Sequence, residues 1–109
     1  MIKTILTAAG VEYTQGRFLR MPAGTHAVYF DDVEVETADP VESVGAPRIY
    51  HHDITVEVYE PTPDDEAEAA IEAELDARAL PWSKQDRYWL KDVQRYQVIY
   101  EFSYTSKTK

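Results

Sequence analysis

Cysteine is absent from these 109 residues, and with it go disulfide staples, thiolate nucleophiles and cysteine-ligated zinc. Glycine is nearly as scarce. The four glycines are scattered, so no glycine-rich loop stands ready to cradle a phosphate, and no serine or threonine sits in a nucleophile elbow. No segment approaches the roughly 18 consecutive apolar residues that a membrane span requires. Ile2 to Gly10 has a lysine in front and small residues behind, but Thr4 and Thr7 break its apolar run, so it reads as a short amphipathic helix rather than a leader. The chain is therefore expected to be soluble and unanchored, and a reducing cytoplasm suits it.

Basic residues are missing from the middle of the chain. Between Arg48 and Arg78 there is no Lys or Arg, whereas Asp53, Glu57, Glu60, Asp64, Asp65, Glu66, Glu68, Glu72, Glu74 and Asp76 all fall there. After Ser83 the balance reverses, with Lys84, Arg87, Lys91, Arg95, Lys107 and Lys109 against Asp86, Asp92 and Glu101. The formal charge of −9 argues against nucleic acid as a partner, because neutralising phosphates takes Lys and Arg.

What is present suffices for one domain spanning residues 1–109: 44% of the residues are hydrophobic and 12% aromatic, enough apolar material for a single core at this length. Ile2, Ile5, Leu6 and Ala9 share a helical face that Gly10 is placed to end. From Val11 to Gly24 breakers interrupt the pattern and an extended crossing is expected. Ala27 to Phe30 and Val33 to Glu36 read either as two strands turning at Asp31-Asp32 or as one bulged strand. A flexible loop is expected at about 37–48, where Asp39-Pro40, Gly45 and Pro47 cluster.

Arg48 to Glu60 is the clearest strand, with Ile54, Val56 and Val58 on one face and Asp53, Thr55, Glu57 and Tyr59 on the other. Thr62-Pro63-Asp64-Asp65 then opens a helix, with Thr62 as the cap and Pro63 in the first turn; one face carries Ala67, Ala70, Ile71, Ala73, Leu75 and Ala77, and Pro81 forbids continuation. Trp82 to Leu90 and Arg95 to Tyr104 form a hairpin about Lys91-Asp92-Val93-Gln94. Tyr96, Val98, Tyr100, Phe102 and Tyr104 share a face, and residues 105–109 are expected to fray. The order α-β(β)-β-α-β-β implies an α+β fold: an antiparallel or mixed sheet of four to five strands with two helices packed on one face.

No catalytic, cofactor or metal constellation stands out, so an enzyme is not expected. His51-His52-Asp53 is the most metal-like string, but strand alternation sends adjacent side chains to opposite faces and His26 would have to arrive from another strand. Asp31-Asp32 reads as turn chemistry rather than paired catalytic carboxylates or a cation site. The aromatic set Trp82, Tyr88, Trp89, Tyr96, Tyr100 and Tyr104 reads as core or protein interface rather than a stacking platform for sugars or bases.

From His52 to Phe102 the chain resembles the tail-completion proteins of long-tailed phages and prophages, the tail terminators or head-tail joining proteins. The resemblance lies in the strand Asp53-Ile54-Thr55-Val56-Glu57-Val58-Tyr59, the acidic helix, Asp86-Arg87-Tyr88-Trp89, and Tyr96-Gln97-Val98-Ile99-Tyr100-Glu101-Phe102. It implies a non-enzymatic subunit that forms a homo-oligomeric ring at the end of the tail tube and joins it to the head. Its partners would then be itself, the tail tube protein and head-connector proteins, with no cofactor, nucleic acid or membrane. Such a protein would act in the bacterial host cytoplasm during assembly and remain in the virion tail. A ring uses two different patches on every subunit, and opposite charges suit the contact. The interface candidates are therefore Glu68, Glu72 and Asp76 on the helix and Lys84, Arg87, Trp89, Lys91 and Arg95 on the hairpin. The other reading is an acidic inhibitor or DNA mimic that lays the carboxylates of Asp64 to Asp76 into a basic cleft.

Overall fold

A computed structural model describes residues 1–36 and 48–107. The opening helix α1 (Ile2–Ala9) ends at Gly10, whose φ of 74° is left-handed backbone that glycine adopts without strain, and the Val11 amide then closes the turn on the Leu6 carbonyl at 3.1 Å. Strand β1 (Glu12–Gln15) follows and runs parallel to β2 (His26–Glu36). The crossing expected from Val11 to Gly24 thus contains one short strand.

β2 is a single continuous strand. It pairs antiparallel with β3 (Ile49–Glu60) at every position from His26↔Tyr59 to Glu36↔Ile49. This corrects both readings of Asp31-Asp32: neither a turn nor a bulge interrupts the ladder there, because eleven consecutive pairings to β3 outweigh the turn preference of two aspartates. The expected loop at about 37–48 lies outside the described residues except for Arg48.

Helix α2 (Asp65–Ala77) starts later than the Thr-Pro pair suggests. Asp64 is the cap, accepting the Ala67 amide on Oδ1 at 3.0 Å and the Thr25 hydroxyl on Oδ2 at 2.6 Å, so one carboxylate starts the helix and ties it to the approach of β2. Beyond it, β4 (Trp82–Lys84), β5 (Tyr88–Leu90) and β6 (Arg95–Ser106) complete a mixed six-stranded sheet of order β1-β2-β3-β6-β4, with β5 also on β6. With β2 continuous the sequence reading gives four strands, and β1 and the division of Trp82 to Leu90 into β4 and β5 bring the count to six. β6 pairs with β3 as far as Tyr50↔Ser106, so Thr105 and Ser106, expected to fray, are in the ladder.

The fold is α+β. Its core joins Ile5 and Leu6 of α1 and Ile71 and Leu75 of α2 to the inner-face side chains Tyr29, Ile54, Val56, Val58, Val98 and Tyr100. Each of these fully buried side chains contributes roughly 1.5–3 kcal/mol of transfer free energy. The alternation read in β3 and β6 holds: Ile54, Val56 and Val58 are buried, as are Val98, Tyr100 and Phe102.

Candidate interaction surface

The hairpin has a break in register that decides where its charges go. Lys84 pairs with Tyr100 and Tyr88 with Gln97, so Gln85, Asp86 and Arg87 stand opposite only Val98 and Ile99. An extra residue of this kind re-aims the side chains beside it. Arg87 is turned back onto the start of α2, where Nη2 lies 2.6 Å from both Asp65 Oδ1 and Glu68 Oε2 and Nε lies 3.2 Å from Glu60 Oε1. Lys84 Nζ bridges Glu68 and Glu72 at 2.8 Å each, and the buried Tyr100 hydroxyl donates to Glu72 at 2.7 Å.

The acids and bases singled out from sequence therefore meet within one chain. Glu68, Glu72, Lys84 and Arg87 form an ionic cluster within the chain, so Lys84 and Arg87 already have partners on the chain's own helix. Asp76 accepts the Trp82 indole N–H at 2.8 Å. Arg95 reaches the Pro22 and Ala23 carbonyls at 3.4 Å, securing the crossing between β1 and β2 to β6. Of the eight candidates, Asp76, Lys84, Trp89 and Lys91 are exposed; Trp89, 44% exposed, is edge-on to Tyr96, and Lys91 is without an ion pair among the described residues.

Two carboxyls of this cluster are core residues: Glu60 is 0% and Glu68 3% exposed. Burial, then the hydrogen bond and charge of Glu68, push the Glu60 carboxyl up to about 8. Against the upward push of burial, hydrogen bonds from Glu60, Lys84 and Arg87 hold Glu68 below the usual carboxylate range. With both ionised, Glu60 Oε2 has no hydrogen-bond partner; a proton on Glu60 turns the contact with Glu68 into a hydrogen bond. Glu60 ends β3 on the inner, even-numbered face, so its burial was readable from the alternation; its partners were not, because they come from α2 and the register break.

The sign of the linkage follows. Between the unfolded value of about 4.5 and the folded value of about 8 the folded chain keeps a proton that the unfolded chain has released, so stability is full below the first and is lost as pH rises through the second. Glu60→Gln retains the donor and cannot ionise. Urea unfolding of the wild type is expected to weaken between pH 5.5 and 8.5 relative to Glu60→Gln by on the order of 2–4 kcal/mol. A constant difference between the two proteins across that range would place the proton elsewhere.

At the far end of the sheet, alternation separates the two adjacent histidines. His51 faces out toward Glu36, with 3.2 Å between Nε2 and Oε2. His52, 4% exposed, lies flat against Tyr104 at 4.4 Å, with Nδ1 3.0 Å from Asp31 Oδ1 and Nε2 2.9 Å from Ser106 Oγ. Carboxylate, imidazole and hydroxyl stand in the order of a nucleophilic triad, but they come from three adjacent strands and satisfy a buried ring. The arrangement is a staple across β2, β3 and β6. Among the described residues no group of three or more His, Cys, Asp or Glu side chains could hold a metal ion.

The opposite face of the sheet, formed by Val28, Phe30, Glu57, Tyr59, Gln97 and Ile99, is lined differently. The crossing between β1 and β2 folds over one end of it, and a cavity of ≈ 560 Å3 opens between Phe18, Met21, His26, Val28, Phe30 and Tyr59. His26, 2% exposed, stacks on Tyr59 at 5.3 Å and meets Phe18 edge-on at 5.4 Å. Burial, then the hydrogen bond to Glu57, push the Tyr59 phenol up to about 12. Sequence reading missed this cavity, whose one local signal was Phe18 and Met21 beside the glycine and proline of the crossing.

Compared with models of protein families and with curated proteins, the sequence matches none. No described helix is long and apolar enough to cross a membrane.

Proposed function

We propose that this chain is a non-enzymatic virion assembly subunit of the phage or prophage tail-completion type, which builds a ring at the end of the tail tube and joins it to the head. The observation that carries this reading is that apolar side chains are exposed at both ends of the sheet. Tyr88 and Trp89, 48% and 44% exposed, lie on β5 beside the start of β6, whereas Val35 and Ile49, 40% and 41% exposed, lie where β2 ends and β3 begins; within each pair, strand alternation puts the two side chains on opposite faces. At about 3.4 Å per residue the length of β6 puts them roughly 30 Å apart. A head-to-tail contact needs two different patches on each subunit, and a ring results when the rotation closes. Exposed aromatics are enriched in such contacts.

The electrostatic part of the assembly moves accordingly. With Lys84 and Arg87 spent inside the chain, aromatic burial supplies the affinity, and Lys91 is the hairpin charge left to orient a neighbour. Of the carboxylates that the acidic-mimic reading would use, Asp64, Asp65, Glu68, Glu72, Glu74 and Asp76 have partners within the chain, and Glu66 is exposed. In the subunit proposed here the protein works in the host cytoplasm during assembly and stays in the virion tail. Deleting the gene in its phage or prophage is expected to give overlong or unattached tails beside filled heads in negative-stain micrographs. Tails of normal length joined to heads would end the proposal.

A further inference from the structure

We infer that the helix-free face of the sheet docks a basic, amphipathic polypeptide segment of a partner, with the aromatic cavity at one end of that face taking a Lys or Arg side chain. This holds whether or not the chain is a tail-completion subunit.

The cavity offers acceptors and aromatic planes. His26 Nδ1 lies 3.0 Å from the Gly24 carbonyl, which only accepts, so in the neutral ring the proton is on Nδ1 and Nε2 is left as an acceptor. A hydrogen-bond relay crosses the face in one direction. The Tyr88 hydroxyl donates to Gln97 Oε1 at 2.5 Å, Gln97 Nε2 donates to the Tyr59 oxygen at 3.0 Å, and the Tyr59 hydroxyl donates to Glu57 Oε1 at 2.9 Å. Every proton in the relay is already placed, and it terminates on a carboxylate. Beside that carboxylate stand the rings of Tyr59, His26, Phe18 and Phe30. Acceptors among aromatic faces suit a cation carried on an apolar stem.

The charge of the surrounding face favours the same occupant. Asp32, Glu34, Asp53, Glu57 and Glu101 all fall on it by strand alternation, and none is in an ion pair with Lys or Arg among the described residues, whereas Glu60, Glu68, Glu72 and Glu74 of the inner cluster and α2 each are. Asp32 and Asp53 are direct cross-strand partners, a like-charge pairing that costs stability and that a cationic partner relieves. Arg17 is the one cation lining the cavity and is exposed; Arg95 falls on the same face and is turned to the Pro22 and Ala23 carbonyls, so two guanidiniums against these five carboxylates leave the face acidic. A small cavity ligand would not answer the carboxylates that extend along β2 and β3, and a segment with several basic residues does.

The test uses the full chain, labelled with 15N, and two synthetic 14-residue amphipathic peptides, one of Lys, Leu and Trp and one with Glu in place of Lys. The Lys peptide is expected to shift amides of residues 26–32, 53–59 and 97–101 and to bind at least about tenfold more weakly to Glu57→Gln, which keeps the Tyr59 hydrogen bond. Glu66→Gln, on the exposed side of α2, is expected to bind as the wild type does. Equal loss in the two variants would mean diffuse attraction between opposite charges, and shifts confined to α2 would put the contact on the helix; either overturns the assignment. Equal binding of the Glu peptide, or a dimer of the free chain that Glu57→Gln dissociates, overturns it as well, the latter by giving the face to a second copy.

Discussion

Arg87→Ala is expected to cost about 3–5 kcal/mol at pH 8, the range for stripping one partner from a buried ion pair. One guanidinium serves Glu60, Glu68 and Asp65, and the first two are almost without solvent. Among the described residues, removing it leaves Lys84 as the only cation on Glu68 and none on Glu60. Asp65 is a spectator in this respect, its side chain being 89% exposed, so Asp65→Ala is expected to change stability by no more than about 1 kcal/mol. The loss on Arg87→Ala should shrink at pH 5, where Glu60 holds its proton and Glu68, freed from the guanidinium, takes one up more readily. Arg87→Lys keeps the charge but cannot reach three carboxylates with a planar fork, and should fall between. Urea titrations of the four proteins at both pH values check the ranking. An Arg87→Ala midpoint equal to the wild type would return Arg87 to the intersubunit role that its place in the sequence suggests.

The pairing of a half-buried Arg87 with carboxylates of its own chain shows where legibility in the sequence stops. Period-two alternation is a property of consecutive residues, and it revealed β3 and β6 with their correct faces; helical spacing revealed α1 and, on α2, the buried Ile71 and Leu75, whereas Ala73 and Ala77 of the expected stripe are exposed. Whether a charged side chain is exposed depends instead on what lies across from it. Glu68 falls within the acidic run of α2 and looks solvated; it is buried because the register break between β4 and β5 delivers Arg87 and Lys84 to it. Asp31-Asp32 looked like a turn for the same reason, since the pairing with Ile54 and Asp53 that keeps β2 straight is set by a strand some twenty residues away. His52 and Ser106 are 54 residues apart in sequence, and nothing local to either indicates the staple. The cavity was the least legible feature, because it forms where an irregular crossing folds over a sheet face and no periodicity describes such a segment.

Val56→Asp is expected to abolish folding or to cost about 4 kcal/mol or more, a large part of the roughly 5–15 kcal/mol that holds a domain together. Val56 is 1% exposed and lies between Tyr29 on β2 and Tyr100 on β6, inside the cluster that receives Ile71 and Leu75 from α2. A carboxylate there has no cation in reach, since Arg87 and Lys84 are already committed to Glu60, Glu68 and Glu72, so it must either stay protonated or open the contact between helix and sheet. Val56→Ala separates charge from volume: it removes apolar atoms without adding a polar group and should cost about 1–3 kcal/mol. Glu57→Ala is the opposing control. Its side chain is on the other face, where it accepts the Tyr59 hydroxyl beside an open cavity, and its loss leaves that phenol to water at no more than about 1 kcal/mol. Denaturant unfolding should therefore rank Val56→Asp far below Val56→Ala, and Val56→Ala below Glu57→Ala. The reverse order for positions 56 and 57 would mean that β3 is slipped by one residue, which would turn His52, Glu60 and the whole even-numbered face to solvent and exchange the core for the docking surface.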